Sequence, residues 1–368
     1  MAERRKLMFV LPRMNGGGAE RVVSIIANHM CETYDVTILV LVSDESFYPL
    51  DGRIRFVSAN YEVNRRNKVT RLASLGRNFL KAIGFVREKV NEIQPDIVFS
   101  LLEETDIVTF FALLGKKQIV RLCSERNDPT KRNALIQKVL NRIYSYCDCL
   151  ICQSETVAKY YHHIPEERKT VIPNPVDFSA YPDRVAEGEQ TRIVAAGRLR
   201  PQKNFRLLID SFAAIASQYP QVKLTIYGEG VQRTELEARV RDLGLESQIE
   251  LPGASKDLLV DIRDAAIFVM SSDYEGFPNA LVEAIAMGIP VISTDFPTGV
   301  AREIITQDVG LVVPCGDQNA MSGAIESLMS NQEVRQFIRK EGWKCLSQFE
   351  TENIVQRWKK IMDQLLHQ

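Results

Sequence analysis

The chain alternates short, unbroken apolar runs with longer amphipathic stretches. KLMFVL, VTILVLV, DIVFSLL, QIVRLCS and CLICQ lie in the first half, with helix-like segments such as AERVVSIIANHM and Val69–Ile93 between them. Apolar runs without alternation read as strands covered on both faces, and their succession with amphipathic segments predicts a parallel sheet with crossover helices. The polar stretch Asp44–Asn67 reads as a connection. Residues 171–191, VIPNPVDFSAYPDRVAEGEQT, break the pattern: they are rich in Pro and polar residues, have no period, and read as an interdomain linker. The alternation then restarts with RIVAAG, the loop RLRPQK and a helix NFRLLIDSFAAIASQYP capped by Asn204. KLTIYGEG, QIELPG, IFVMSS and PVISTD are further strands.

Two halves that each open strand–loop–helix predict an α/β fold of two Rossmann-like domains facing one another across a cleft. The ligand is expected outside the carboxyl ends of the strands. The expected boundaries are 1–174 for the first domain, 175–191 for the linker and 192–350 for the second domain, with a terminal helix over 351–368 packing back on the first.

Composition narrows the classes. Hydrophobic content of 45% and charged content of 25% are those of an ordinary globular protein, and a net charge of −1 gives no global field for nucleic acid. Residues 1–183 carry 26 Lys and Arg against 22 Asp and Glu, leaving 20 against 25 in the rest. That asymmetry favours the first half for contact with an anionic surface. Seven cysteines, an odd number without a signal peptide, point to reduced thiols in the cytoplasm. Cys147, Cys149 and Cys152 lack a fourth ligand nearby and read as a buried strand rather than a metal site. The N-terminal basic cluster imitates a secretory leader, but its apolar run is broken by Arg13. No uncharged apolar run approaches the ~20 residues of a membrane span.

Four stretches carry candidate chemistry. Gly16-Gly17-Gly18 follows a strand and precedes a helix, which suits a backbone approach to phosphate or simply a tight turn. It is neither G-x-G-x-x-G nor a P-loop. GRLRPQKN (197–204) puts Arg198 and Lys203 at a strand end and helix start, which suits an anion or a solvated basic loop. No Asp-x-Asp triplet or ligand-like His spacing occurs, so no metal is expected. In SSDYEGFPNALVEAIAMGIPVIS, Glu275 precedes a helix that runs to Gly288 and Glu283 lies about one turn inside it. Both acids could then accept from hydroxyl groups beside the unpaired N–H groups of Gly276 to Ala280. Helix capping and a glycosidase-like proton shuttle are the competing readings.

Taken in order, GRL-x3-KN, YGEG, EGFPNALVEA with its E-x7-E spacing, GIPVI and a loop from Gly310 to Pro314 resemble glycosyltransferase family 4 over nearly the whole chain. NGGGAER, ESFYPL, SLLEETDI and SERNDP resemble its bacterial subgroup that builds surface glycans on lipid carriers. The resemblance implies a GT-B fold and retaining, metal-independent transfer from a nucleotide-diphosphate sugar, most plausibly a UDP-hexose or UDP-N-acetylhexosamine. The implied acceptor is a polyprenyl-diphosphate-linked oligosaccharide or surface polysaccharide. No cofactor and no nucleic-acid partner are implied. The implied location is the cytoplasmic face of the membrane, and the alternative within the fold is a sugar-nucleotide epimerase.

Carried onto this sequence, Arg198 and Lys203 would bind the donor diphosphate, Glu275 the transferred sugar and Glu283 the ribose. Gly276, Phe277, Pro278, Asn279, Ala280 and Leu281 would meet sugar and phosphate, with Gly17 and Gly18 approaching from the other domain. Gly228, Glu229, Arg233, Pro252 and Gly253 would lie near the base. Glu103, Glu104 and Arg126 are acceptor-side candidates. Many relatives carry His where SERND has Arg126. Arg cannot act as a neutral base, so Arg126 becomes a candidate for anion binding.

In the long amphipathic segment, Val69, Leu72, Phe79, Ile83, Val86 and Val90 form one face. Arg71, Arg77, Lys81 and Lys89 lie away from it, with Arg65, Arg66 and Lys68 just upstream. It reads as a helix packed on its sheet whose basic back meets anionic headgroups or is merely solvated.

Overall fold

The computed structural model describes residues 4–42, 45–61, 68–177 and 191–367, without the side chains of 68–77 and 343. Most of the linker predicted over 175–191 thus lies outside the described residues, as do Arg65 and Arg66 and the side chains of Lys68, Val69, Arg71, Leu72 and Arg77. The chain divides into two compact units, Met1–Pro175 with Thr351–Gln368, and Val176–Glu350.

In the first unit, β1 (Lys6–Leu11), α1 (Gly18–Met30), β2 (Asp35–Val40), β3 (Arg55–Ser58) and α2 (Lys68–Ile93) come first. β4 (Ile97–Leu101), α3 (Glu103–Ala112), β5 (Val120–Ser124), α4 (Ala134–Tyr144), β6 (Cys149–Cys152), α5 (Glu155–Tyr160) and β7 (Lys169–Val171) follow. The seven strands are parallel in the order β3-β2-β1-β4-β5-β6-β7. β4 and β6 are buried along their whole length, as continuous apolar runs in a parallel sheet must be. The cysteines of β6 are packing residues: burial pushes the Cys149 thiol up to about 12 and that of Cys152 higher still.

The second unit holds β8 (Arg192–Ala196), α6 (Phe205–Ala213), β9 (Lys223–Tyr227), α7 (Arg233–Asp242), β10 (Ile249–Gly253), α8 (Leu258–Ile262) and β11 (Ile267–Met270). It continues with α9 (Asn279–Ala286), β12 (Val291–Thr294), α10 (Val300–Ile304), β13 (Gly310–Val313), α11 (Gln318–Ser330) and α12 (Gln332–Glu341). Its six strands are parallel in the order β10-β9-β8-β11-β12-β13.

α13 (Thr351–Leu366) returns to the first unit. Trp358 is fully buried there, its ring 4.9 Å from that of Phe99, and the Tyr34 hydroxyl donates to Asp363 at 2.9 Å. The α13 residues Ile354, Val355, Trp358 and Met362 share one core with β1, β2 and β4. Their spacing is one helical stripe.

Three expectations need correction. Arg55–Ser58, inside the polar connection, is the edge strand β3, whose half-buried pattern hides the usual signal. Gly310–Val313, expected as a loop, is the edge strand β13 paired along its length with β12. The helix predicted over 204–220 stops at Ala213 and gives way to turns before Pro220.

Candidate active site

Parallel α/β sheets bind ligands beyond their carboxyl ends, where the strand order reverses. In the second unit the reversal lies between β8 and β11. The segments leaving those two strands are 197–204 and 271–278, which contain Lys203 and Glu275.

The two segments are tied together. Lys203 Nζ donates to Glu275 Oε1 at 2.6 Å, and Ser272 Oγ donates to the same oxygen at 2.6 Å. Gln202 Nε2 donates to the Tyr274 carbonyl at 2.8 Å, and the Asp273 N–H donates to the Gln202 carbonyl at 2.9 Å. Asn204 adopts a left-handed φ of 43°, caps α6 through Leu207 N at 3.2 Å and donates to Asp273 Oδ1 at 2.8 Å. Thr298 Oγ1 donates to the Glu275 carbonyl at 2.9 Å. The Glu275 and Lys203 side chains keep only 9% and 17% exposure, so their charges meet where water screens little. Arg198 differs: it is exposed, and its side chain makes no hydrogen bond or ion pair among the described residues.

α9 starts right after this knot. Pro278 is its N-cap, and the N–H groups of Leu281 and Val282 bond the Pro278 carbonyl at 3.0 and 3.1 Å. Gly276, Asn279 and Ala280 are half-buried, and so is Glu283. Phe277 and Leu281 are core residues. Leu281 lies in the first turn with its side chain in the core and its N–H on the Pro278 carbonyl.

The third edge of the site comes from β9 and β10. Gly228 N donates to the Gly253 carbonyl at 2.8 Å, and Gly197 N to the Tyr227 carbonyl at 2.9 Å. A Cβ at Gly228 would stand 1.8 Å from the Gly197 carbonyl oxygen, so only glycine lets these loops touch. Arg233 grips Glu229 with two hydrogen bonds, at 2.7 and 2.8 Å, beside Gly253, while Pro252 is exposed. That hydrogen-bonded pairing lowers the Glu229 carboxyl and raises Arg233.

In the first unit the reversal lies between β1 and β4. Gly17 is the N-cap of α1 and Gly18 its first residue, but the Gly17 N–H already donates to the Glu20 carboxylate. Across the reversal, Leu102 carries φ 77° and ψ 148°, a region almost reserved for glycine, costing about 1–3 kcal/mol. It sets Glu103 at the start of α3, where Oε1 lies 2.8 Å from Arg132 Nε, while Glu104 is exposed. Arg132 also holds both oxygens of Glu125 at 2.8 Å, and the Tyr161 hydroxyl donates to Glu125 Oε2. Arg126, next in the chain, is buried and gives Nη1 to Asn174 Oδ1 at 2.6 Å. Sequence reasoning missed Glu125, Arg132, Tyr161, Ser272 and Asn174. Only the pairing of opposite charges within SERNDPTKR was there to be noticed.

Among the described residues, no group of three or more His, Cys, Asp or Glu side chains is placed to hold a metal ion, and no helix is long and apolar enough to cross a membrane.

The chain matches the family model "Glycosyl transferases group 1" over residues 180–344 and "Glycosyltransferase Family 4" over 16–180. It is 26% identical, over 97% of its length and 98% of the relative's, to a Campylobacter jejuni GalNAc-alpha-(1->4)-GalNAc-alpha-(1->3)-diNAcBac-PP-undecaprenol alpha-1,4-N-acetyl-D-galactosaminyltransferase. It is also 26% identical to the amylovoran biosynthesis glycosyltransferase AmsD of Erwinia amylovora, over 95% and 97% of the two chains. Similar solved structures include Anabaena HepE in complex with UDP, with TM-score 0.77, 17% identity and coverage of 98% of this chain and 100% of that one. Sucrose-phosphate synthase from Thermosynechococcus elongatus aligns with TM-score 0.83 at 19% identity, covering 99% and 100%.

Proposed function

Because the chain belongs to the group 1 and family 4 glycosyltransferases and is an enzyme of their GT-B fold, we propose that it moves a sugar from a nucleotide-diphosphate donor to a lipid-linked glycan. The observation that carries the reading is the Lys203–Glu275 pair at the β8/β11 reversal, with Arg198 exposed on the same loop and the start of α9 beside it. We assign the donor diphosphate to Arg198, Lys203 and the first turn of α9, the transferred sugar to Glu275, and the ribose to Glu283. The loops of Gly228–Glu229 and Pro252–Gly253 sit on the base side. UDP is the favoured carrier, since similar structures are described with UDP and a similar enzyme is named as an N-acetylgalactosaminyltransferase.

The proposed chemistry is retaining and metal-independent. As the sugar–phosphate bond breaks, charge grows on the leaving diphosphate, and fixed cations favour that state over the ground state. The leaving phosphate then accepts the proton of the attacking hydroxyl on the same face. Glu275 positions the sugar, and its bond to Lys203 keeps the cation's side chain in place before the donor arrives.

We place the enzyme at a membrane surface. Phe79, Phe111, Phe110 and Tyr146 form a chain of ring contacts from α2 through α3 to the end of α4, and Arg142 stacks over Tyr146 at 5.1 Å. Leu80, Leu114 and Leu135 are exposed on the same three elements or their ends, with Lys81, Lys117 and Lys138 near them in sequence. Lys89, predicted to face headgroups, is instead paired with Glu92 at 2.7 Å. A surface of this kind suits an anionic bilayer. Flotation with anionic liposomes at low salt and loss at high salt would support it; no flotation at either would refute it.

The activity test is a panel of UDP-, GDP- and dTDP-sugars with a membrane lipid extract. Acceptor-dependent nucleotide release supports transfer. Donor conversion without an acceptor would refute it in favour of an epimerase.

A further inference from the structure

The carboxyl end of the first sheet holds an arginine whose chemistry is only partly used. Arg126 follows β5, Gln153 follows β6, and Asn174 lies three residues beyond β7, so three strand ends converge on one spot. Arg126 keeps 7% exposure. Its Nη1 donates to Asn174 Oδ1 at 2.6 Å, but Nε and Nη2 are buried and hydrogen-bond nothing among the described residues. Turning the Gln153 amide end for end brings an acceptor 3.3 Å from Nη1 and still leaves the other two atoms unbonded.

Nε and Nη2 form one edge of the guanidinium. Their N–H bonds run parallel, at the spacing of two oxygens on a carboxylate or phosphate. The acids at hand are engaged elsewhere: Arg132 holds both oxygens of Glu125 and lies 2.8 Å from Glu103. Burial pushes the Arg126 pKa down to about 10, so the group stays charged at neutral pH. A buried charged edge without acceptors opposes folding unless it serves something. A sugar hydroxyl or a water would take one N–H at a time, whereas an oxyanion takes both.

We propose that the Nε–Nη2 edge of Arg126 receives one oxyanion of the acceptor substrate, either a carboxylate on its glycan or a phosphate of its lipid carrier. The substrate assignment rests on the transfer reading; the oxyanion site itself does not. Thermal unfolding is followed in acetate and in inorganic phosphate, against chloride at matched ionic strength, for the native protein, Arg126→Met and Arg126→Gln. Phosphate stabilises many folds non-specifically, so the readout is the difference between native and variant. The site predicts stabilisation of the native protein that both variants lose. With turnover established, a neutral acceptor glycan is compared with one bearing a hexuronic acid, and a carrier-linked acceptor with its phosphate-free glycan. Arg126→Gln should raise KM about 10- to 100-fold for the anion-bearing partner alone, with partial recovery in Arg126→Lys. A carboxylate source shows in the first comparison and a phosphate source in the second. Equal anion responses in native protein and variants would overturn the proposal, as would an unchanged KM for every substrate. If the native protein releases no nucleotide with any acceptor, the transfer reading fails, and the anion-dependent unfolding still decides the Arg126 site.

Discussion

At the carboxyl end of the second sheet, Lys203, Glu275, Asn204 and Asp273 hold one another, and the exposed Arg198 stands beside them. The first sheet repeats the arrangement in part. Glu103, Glu125 and Arg132 are joined, Glu125 and Arg132 with side-chain exposures of 1% and 4%, but their neighbour Arg126 keeps a buried edge without partners among the described residues. Both sheets reverse strand order at this level, so topology does not distinguish them. The difference lies in where cationic donors remain available: on an open loop in one unit, inside the sheet end in the other. A flexible, solvated anion such as a diphosphate suits the first. A single oxyanion that accepts two parallel N–H bonds suits the second.

The largest effect should come from breaking the deeper network. Glu125→Ala leaves the Arg132 guanidinium with only Glu103 and the Gln137 amide oxygen, and should lower unfolding free energy by about 3–5 kcal/mol in denaturant titration. A loss under ~1 kcal/mol, the range of exposed pairs, would mean that the pair is solvated. Next, Gly228→Ala forces a Cβ against the Gly197 carbonyl and should cost about 1–3 kcal/mol while raising KM for the nucleotide, since it separates the β8 and β9 loops. Unchanged KM would detach those loops from the donor site.

A smaller effect concerns Asp106, fully buried beneath the first network, where Ser100 Oγ donates at 2.6 Å and Tyr144 at 3.0 Å. Burial raises its pKa well above the carboxylate range. The folded state therefore binds this proton more tightly than the unfolded chain does. Its contribution is complete below the ordinary Asp value and is lost as pH rises through that value towards the raised folded one. Asp106→Asn should remove this slope from the stability–pH curve, and superimposable curves would show that the carboxyl is ionised. The smallest expected effect is that of EDTA: under the proposed assignment of the diphosphate to Arg198 and Lys203, turnover should not change. Loss of activity restored by a divalent ion would reverse that assignment.

Much of this was readable from residue order. Unbroken apolar runs marked the buried strands, and Asn204 announced the start of α6 because a side-chain oxygen at that position completes the first turn. The edge strands β3 and β13 were not readable, since half-exposed strands of four residues carry neither a long apolar run nor a clean alternation. At the site, the proximity of Lys203 and Glu275 depends on β8 and β11 being neighbours, a non-local fact that spacing cannot encode. The same holds for Tyr161 on Glu125, 36 residues away, and for Asn174 on Arg126, 48 away.

The most direct test of the central claim is single-turnover nucleotide release, with a donor and acceptor that support turnover, by the native enzyme, Arg198→Ala and Lys203→Ala. Loss of either cation should slow the chemical step by about 10²–10³. Only Lys203→Ala should also destabilise the fold, because it strands Glu275. Native rates in both variants would contradict the account, and would move the chemistry away from the β8/β11 reversal.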